Sequence, residues 1–459
     1  MWLNPVFKWI ENKIKTLLTV LRSRSLATAF ILLIAISLIL STVIPQWNWE
    51  ESREYFYLHT SYPWVMKELT WLIALIGLEH VYTTWWFLSI VLIFSLNIAL
   101  NSYERINVKI KQFKDHKPML PDEIARLKIH KIIPTNKNAE ELKEKIKHTL
   151  KHKGYKIKAY DNGLIASKHT VGLLGVPLLH LSMLVILIGV LITNLTGFKG
   201  HIELSEGQVF PTGEPKFLGP SYGSLHLNPQ FDFQIRLKSF NVTYWNKAHP
   251  RLYKSIVEVY KNGTLLFSKD VEMNKPLKLE GFNFYQTKYY GYSAYFGLVD
   301  TATGYETAGY VNFPYKENAI GALTQQFTIP VLGYLSILSV NVSNPDRLSI
   351  EILEGGKNLH YNNIKKGDVI SLGDFELVFH NMVKWTGFYV SRDYGVSVVF
   401  TGFFLLVLSI LGFVFIMPKR LWLAYENEKL FIGAKVYSRL TTEHTYKQDM
   451  ENIKRECEL

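Results

Sequence analysis

Cysteine is almost absent from this sequence: Cys457 stands alone among 459 residues. A single thiol excludes an internal disulfide, a dithiol relay and a cysteine-ligated metal cluster. Without a Cys-x-x-Cys-His stretch, the chain cannot itself be a c-type cytochrome. Also missing are a Gly-x-x-x-x-Gly-Lys phosphate loop and a His-Glu-x-x-His zinc pair. Acidic residues are scarce, with 39 Asp and Glu against 51 Lys and Arg, a net charge of +12. Such a balance suits nucleic acid or a membrane surface. No nucleic-acid-binding motif accompanies it, and the lysines flank apolar runs, so a membrane with anionic lipid heads is expected and nucleic acid is not.

Long apolar runs are what the chain has instead. They cover Leu26 to Ile44, Tyr82 to Leu100, Val171 to Leu195 and Val396 to Met417. Each approaches the ~20 residues that a helix needs to cross a hydrocarbon core. Four transmembrane helices are therefore predicted. The first follows Arg22 and Arg24, as a signal peptide would, but its apolar part is long and no small-x-small cleavage site follows, so a retained helix is expected. The run Trp71 to Leu78 is too short to span and reads as a re-entrant or interfacial piece.

Charge orients the spans. Lys8, Lys13, Lys15, Arg22 and Arg24 precede the first, and lysines from Lys109 through Lys158 crowd the connection after the second. The connection after the first is acidic, with Glu50, Glu51, Glu54, Glu68 and Glu79. By the positive-inside rule, residues 1–25, 101–170 and 418–459 are cytoplasmic, and residues 45–81 and 196–395 lie outside. The outer segment 196–395 alternates β-branched and aromatic residues between Asn-Gly, Gly-Gly and Asn-Pro turn signals, so a β-rich sandwich or half-barrel is expected. The inner segment reads as an amphipathic helix, a break at Gly154 and short strands, a small α/β unit. The expected architecture is thus a polytopic α-helical membrane protein with a large β-rich extracytoplasmic domain and a small α/β cytoplasmic loop domain.

Of fourteen histidines, only His180 lies well inside a predicted span, about nine residues from Val171. An ionisable group at that depth is costly and is a functional site by default, with a partner to be named. A neutral imidazole bonded to a carbonyl of a neighbouring helix is the plainer possibility. Pro177 frees the carbonyl of Leu173, and Gly172, Gly175 and Gly189 admit either another helix or a flat ligand. Haem iron is a natural partner for such a histidine. A bis-histidine site would need its second ligand from another subunit.

These stretches resemble one family. "SRSLATAFILLIAISLILSTVIPQ" is similar to the first span of the ResB (CcsB) family, ending in Pro45 and Gln46. "GLEHVYTTWWFLSIVLIFSLNIALNSYER" is similar to its second span, with Tyr82, Trp85, Trp86 and Phe87 in the aromatic motif and Arg105 closing it. His80 stands ahead of that motif where the family commonly has an acidic residue, and no family role is carried over to it. "HTVGLLGVPLLHLSMLVILIGVLI" resembles the third span, with His180 at the intramembrane histidine. "NKPLKLEGFNFYQTKYY", with Pro276, Leu277, Gly281, Tyr285 and Gln286, resembles an outer strand motif. "SRDYGVSVVFTGFFLLVLSILGFVFIMPKRLW" is similar to the last span, but has Asp393-Tyr394-Gly395 where the family often has Asp-Pro-Gly.

The resemblance implies a subunit of the system II cytochrome c synthetase. With a ResC (CcsA) partner it would export haem b, held by His180 as an axial ligand to the haem iron, and present it to apocytochrome c outside. Trp85 and Trp86 would be interfacial anchors. No residue stands out as a general acid or base for thioether formation, so any enzymatic activity would belong to the complex. The histidines His201, His226, His249, His360 and His380 read as surface or core residues. The other reading is a membrane-anchored scaffold that displays its β domain to apocytochrome or partner without ligating haem. An electron-transfer b-type cytochrome would want paired histidines in its own helices. The absence of a Ser- and Arg-rich transit peptide favours a bacterial inner membrane over a thylakoid.

Overall fold

The computed structural model describes residues 3–44, 46, 70–114, 117–161, 163–211, 213–245, 250–315, 322–341, 344–435 and 443–456. The chain divides into two units, Met1–Asn194 with Gly395–Leu459, and Leu195–Tyr394.

The first unit carries the helices. In order they are α1 (Leu3–Leu21), α2 (Arg24–Val43), α3 (Thr70–Ile76), α4 (Trp85–Lys114), α5 (Pro121–Ala125), α6 (Ala139–His152), α7 (Gly175–Thr196), α8 (Gly395–Phe415) and α9 (Glu443–Glu456). Four segments are long and apolar enough to cross a membrane: Arg24–Val43, Trp85–Lys114, Thr170–Thr196 and Gly395–Phe415. They coincide with the four predicted runs. Two differ in extent. The second continues as helix well past Leu100, because "NSYERINVKIKQFK" has no Gly or Pro to stop it. The third begins as a 3-10 turn, Thr170–Leu174, and becomes α-helical only at Gly175. The run from Trp71 makes only the seven-residue α3, which ends where Gly77 turns left-handed at φ 73°.

Antiparallel helices α7 and α8 meet along a seam of small residues. The buried positions Gly175, Ser182 and Gly189 recur every seven residues, as do Gly395, Gly402 and Ser409. A methyl group on Gly402 would sit 2.6 Å from Ile186 Cγ1, and one on Gly189 would sit 2.8 Å from the Val399 nitrogen. Backbones this close are what glycine permits within a membrane, where packing and not hydrophobicity holds helices together. The glycines of the third span therefore admit a helix: Gly189 faces Val399, Gly175 faces Phe413 and Gly172 faces Ile416.

Sequence separated the lysine-rich loop 101–170 from the tail 418–459; the structure joins them in one five-stranded antiparallel sheet. Its order is β1 (Ile129–Pro134), β20 (Lys429–Ala434), β19 (Lys419–Glu426), β3 (Gly163–Lys168) and β2 (Lys156–Tyr160). On α6, Leu142, Ile146, Thr149 and Leu150 are buried, the spacing of one helix face, and Asn138 caps its start by accepting from the Glu140 amide at 3.0 Å. On α9, Tyr446, Met450 and Ile453 enter the same core. The Tyr155 hydroxyl donates to Asp449 at 2.7 Å, and burial pushes that phenol up.

The second unit is β-rich, as predicted. The strands β4 (Phe198–Ser205), β6 (Leu218–Tyr222), β10 (Leu277–Leu279), β11 (Phe282–Asp300), β12 (Glu306–Pro314), β17 (Val369–Leu372) and β18 (Phe375–Arg392) form one sheet around the long β11–β18 pair. A second sheet runs β5 (Val209–Phe210), β7 (Gln234–Tyr244), β8 (Pro250–Lys261) and β9 (Thr264–Glu272). A third runs β13 (Ala322–Thr328), β14 (Leu335–Asn341), β15 (Asn344–Glu354) and β16 (Lys357–Lys365). Two separate cores fill it, one rich in phenylalanine around Phe198, Phe282 and Phe284, and one around Phe296, Ile350 and Phe379.

Candidate functional site

His180 sits five residues into the α-helical part of the third span and is half-buried. Relative to Ser182 on the α7–α8 seam it is turned by about 200°, so its imidazole is on the far face of α7 from α8. Arg105 of α4 lies close enough for its charge to act on the ring. Among the described residues the ring has no hydrogen-bond partner. The bonded structural imidazole considered from sequence is not what these residues make.

A second set of polar groups gathers where α2 ends and α4 begins. Gln46 donates to the carbonyls of Ile44 and Leu78 at 3.0 and 2.8 Å and accepts from the Val81 amide at 3.1 Å. Its amide thus ties the end of the first span to the 3-10 turn Leu78–Thr83. Ser41 and the Tyr82 hydroxyl share a 2.5 Å hydrogen bond. Trp86 Nε1 donates to the Ile76 carbonyl at 2.8 Å, and its ring stands edge-on to Phe87. Trp85, by contrast, is 80% exposed at the first position of α4. The two tryptophans therefore differ: one fastens the turn, the other is open to its surroundings.

Inside this turn lies Glu79, whose side chain is 4% exposed. One carboxylate oxygen is 3.3 Å from Nδ1 of His80, and the other has no partner among the described residues. A buried carboxylate beside the ring nitrogen of a largely exposed histidine is the arrangement that orients an imidazole ligand and leaves its other nitrogen to bind. Sequence reasoning passed over this pair; the signal available was an acid next to a histidine directly before an aromatic run. Leu187 and Leu191 of α7 pack with Val81 and Phe87, so His180, seven residues earlier, lies about 10 Å of helix axis away from that level. His180 and His80 are two separate sites.

Among the described residues, the histidines of the β-rich unit do not converge. His201 packs on Tyr389, His226 stacks on Tyr222, and His380 Nε2 is 2.5 Å from Glu306. His249, and the side chain of His360, fall outside the described residues. Among the described residues no three of His, Cys, Asp or Glu group as a metal site. Gly219-Pro-Ser221-Tyr-Gly223 has the Gly-x-Ser-x-Gly spacing of a hydrolase nucleophile elbow. Ser221 lies on strand β6, with no helix after it, so the strand-to-helix turn that the motif requires is not there.

The chain thus combines four segments long and apolar enough to cross a membrane, one of them carrying His180, with a β-rich unit. The family model described as ResB-like family matches residues 25–341 and 350–447. The chain belongs to that family. It is 28% identical over 436 residues to "Cytochrome c biogenesis protein CcsB" of Prochlorococcus marinus (strain NATL1A), covering 92% of this chain and 94% of the relative. To "Cytochrome c biogenesis protein Ccs1" of Phaeodactylum tricornutum it is 28% identical over 411 residues, covering 88% and 91%. A CcsB of Crocosphaera subtropica is 26% identical over 92% of this chain and 90% of the relative.

Proposed function

We propose that this protein acts in cytochrome c biogenesis as the haem-holding and substrate-presenting subunit of a membrane complex. The observation that carries the reading is the match to CcsB relatives along nine-tenths of both chains. In this reading the lysine-rich domain is cytoplasmic, the β-rich unit faces outward, and a ResC/CcsA-type partner completes the complex in a bacterial inner membrane. Haem b is its cargo.

His180 serves as one axial ligand of that cargo. Its half-buried ring lies on the face of α7 turned away from the α8 seam, the face on which Leu187 and Leu191 pack with Val81 and Phe87, and the second ligand would come from the partner. Arg105, whose charge acts on the His180 ring, would complement a propionate of haem held there. Of the two expected anchors, the exposed Trp85 holds the second span at the outer interface, while Trp86 fastens the turn before it. Attachment of haem to the apocytochrome is left to groups on the partner.

One observation favours a second reading of the ligand. His80 has the buried Glu79 carboxylate at its Nδ1, whereas His180 has no orienting group among the described residues. Under that reading haem is held at the outer end of the second span.

The test is maturation of a reporter c-type cytochrome, scored by haem stain in cells whose own ResB-type subunit is deleted. The chain, with its partner, is expected to restore the stained band. No band despite normal membrane levels of both proteins would overturn the proposal.

A further inference from the structure

Among the described residues, strand β12 is bonded to β11 on one side only, and β13 to β14 on one side only. The Tyr315 amide donates to the Tyr290 carbonyl and the Asp300 amide to the Tyr305 carbonyl, which fixes the phase of the β11–β12 ladder. With the unbroken register between them, residues 307, 309, 311 and 313 bond to β11. The N–H and C=O groups of Glu306, Ala308, Tyr310 and Asn312 therefore point outward. By the same argument from the Ile329–Tyr334 bond, Thr324, Gln326 and Thr328 of β13 point away from β14. These two open edges line one cleft of about 510 Å³, floored by Phe296, Leu298 and Leu377.

Open edges of this kind pair with any chain offering an extended backbone, and proteins ordinarily blunt them with lysine, proline or bulges. From Glu306 to Asn312, β12 carries neither lysine nor proline and no register shift. Small residues, Ala308 and Gly309, lie at its middle, and space around Gly309 is open. Among the described residues the charged side chain that lines the cleft is the Glu203 carboxylate, accepting from Asn312 Nδ2 at 2.7 Å; Glu306 begins the strand but sits with His380 on the sheet face of Gly297, away from the Phe296 and Leu298 floor.

We infer that this cleft captures an extended, unfolded polypeptide segment, neutral or basic, by strand addition along β12. The inference rests on the reading of the chain as a cytochrome c biogenesis subunit, whose substrate is an unfolded apocytochrome. Seven residues of β12 edge span roughly 20 Å, enough to hold a comparable length of substrate as an added strand. Backbone pairing makes capture tolerant of the substrate's side chains.

The probe is a haem-free c-type cytochrome chain with both haem-binding cysteines replaced by serine, titrated onto the purified full-length protein with its partner. Ala308→Pro removes one outward N–H and leaves the β11 ladder intact; Ala308→Ser keeps it. Ala308→Pro is expected to weaken binding about tenfold and Ala308→Ser to leave it unchanged. Hydrogen exchange on the wild type, which does not depend on a variant folding, is expected to slow at residues 306, 308, 310 and 312 when the probe is added. Equal binding by all three proteins, or no added protection along β12, overturns the inference. If the wild type meanwhile restores cytochrome maturation, the functional reading stands without it; if maturation fails, that reading falls instead.

Discussion

At the scale of single residues, what was legible depended on whether the residue's neighbours are close in sequence. His180 stood out because a lone imidazole in an apolar run needs no tertiary information to be noticed. Gln46 and Glu79 did not, since their roles come from contacts across the gap between two spans, such as that of Gln46 with Leu78 and Val81. Glu258 shows the same limit in the β-rich unit. Its buried carboxylate receives Arg236 Nε at 2.9 Å, the Tyr260 hydroxyl at 2.9 Å and Lys238 at 3.3 Å. The Arg236 hydrogen bonds, then that of Tyr260, hold its carboxyl below the usual glutamate range. Because the folded value is the lower one, the stabilisation is fully present above the unfolded value of about 4.3 and is lost as pH falls through the folded value. Thermal unfolding of the purified protein should show Glu258→Gln costing on the order of 1 kcal/mol at neutral pH, with the difference from wild type shrinking in acid. A difference that stays constant down to pH 3 would contradict this.

At the scale of elements, the spans were readable because twenty apolar residues announce themselves, whereas their partners did not. The glycines of the third span were compatible with a helix or a flat ligand; Gly395 and Gly402, at matching seven-residue spacing on α8, settle on a helix for that face. Gly402→Val should strike the Ile186 backbone and side chain and cost about 1–3 kcal/mol. The readout is protease resistance and thermal melting in detergent. A variant as resistant as wild type would show that the seam tolerates separation. The tail strands β19 and β20 were missed for a related reason: β19 pairs with β3 and β20 with β1, some 250 to 300 residues earlier, and sequence periodicity carries no information about such pairings. Deleting residues 419–459 removes two of the three inner strands of the five-stranded sheet. Limited proteolysis should then cut within residues 129–168, which the intact protein protects; a stable 117–168 fragment would contradict the shared core.

At the scale of the whole molecule, the account commits to sidedness. In a Cys457→Ser background, a cysteine at the exposed Tyr305 position should react with a membrane-impermeant maleimide in intact cells, while Cys457 of the native sequence should react only after lysis. The reverse pattern would invert the topology. The four apolar spans and the β-rich unit were visible early because long apolar runs and alternating strands each write a separate signature. The haem role that the resemblance implies for His180 rests on one ring and on a partner, and so awaits its own measurement. The most direct measurement is therefore the reduced-minus-oxidised absorption spectrum of the protein purified with its partner, for wild type, His180→Ala and His80→Ala, with and without imidazole. The account expects a low-spin haem signal that His180→Ala loses and imidazole restores, with His80→Ala unchanged. Loss confined to His80→Ala would move the ligand to the outer end of the second span. A full signal in both variants would contradict haem ligation by this chain and leave it a scaffold.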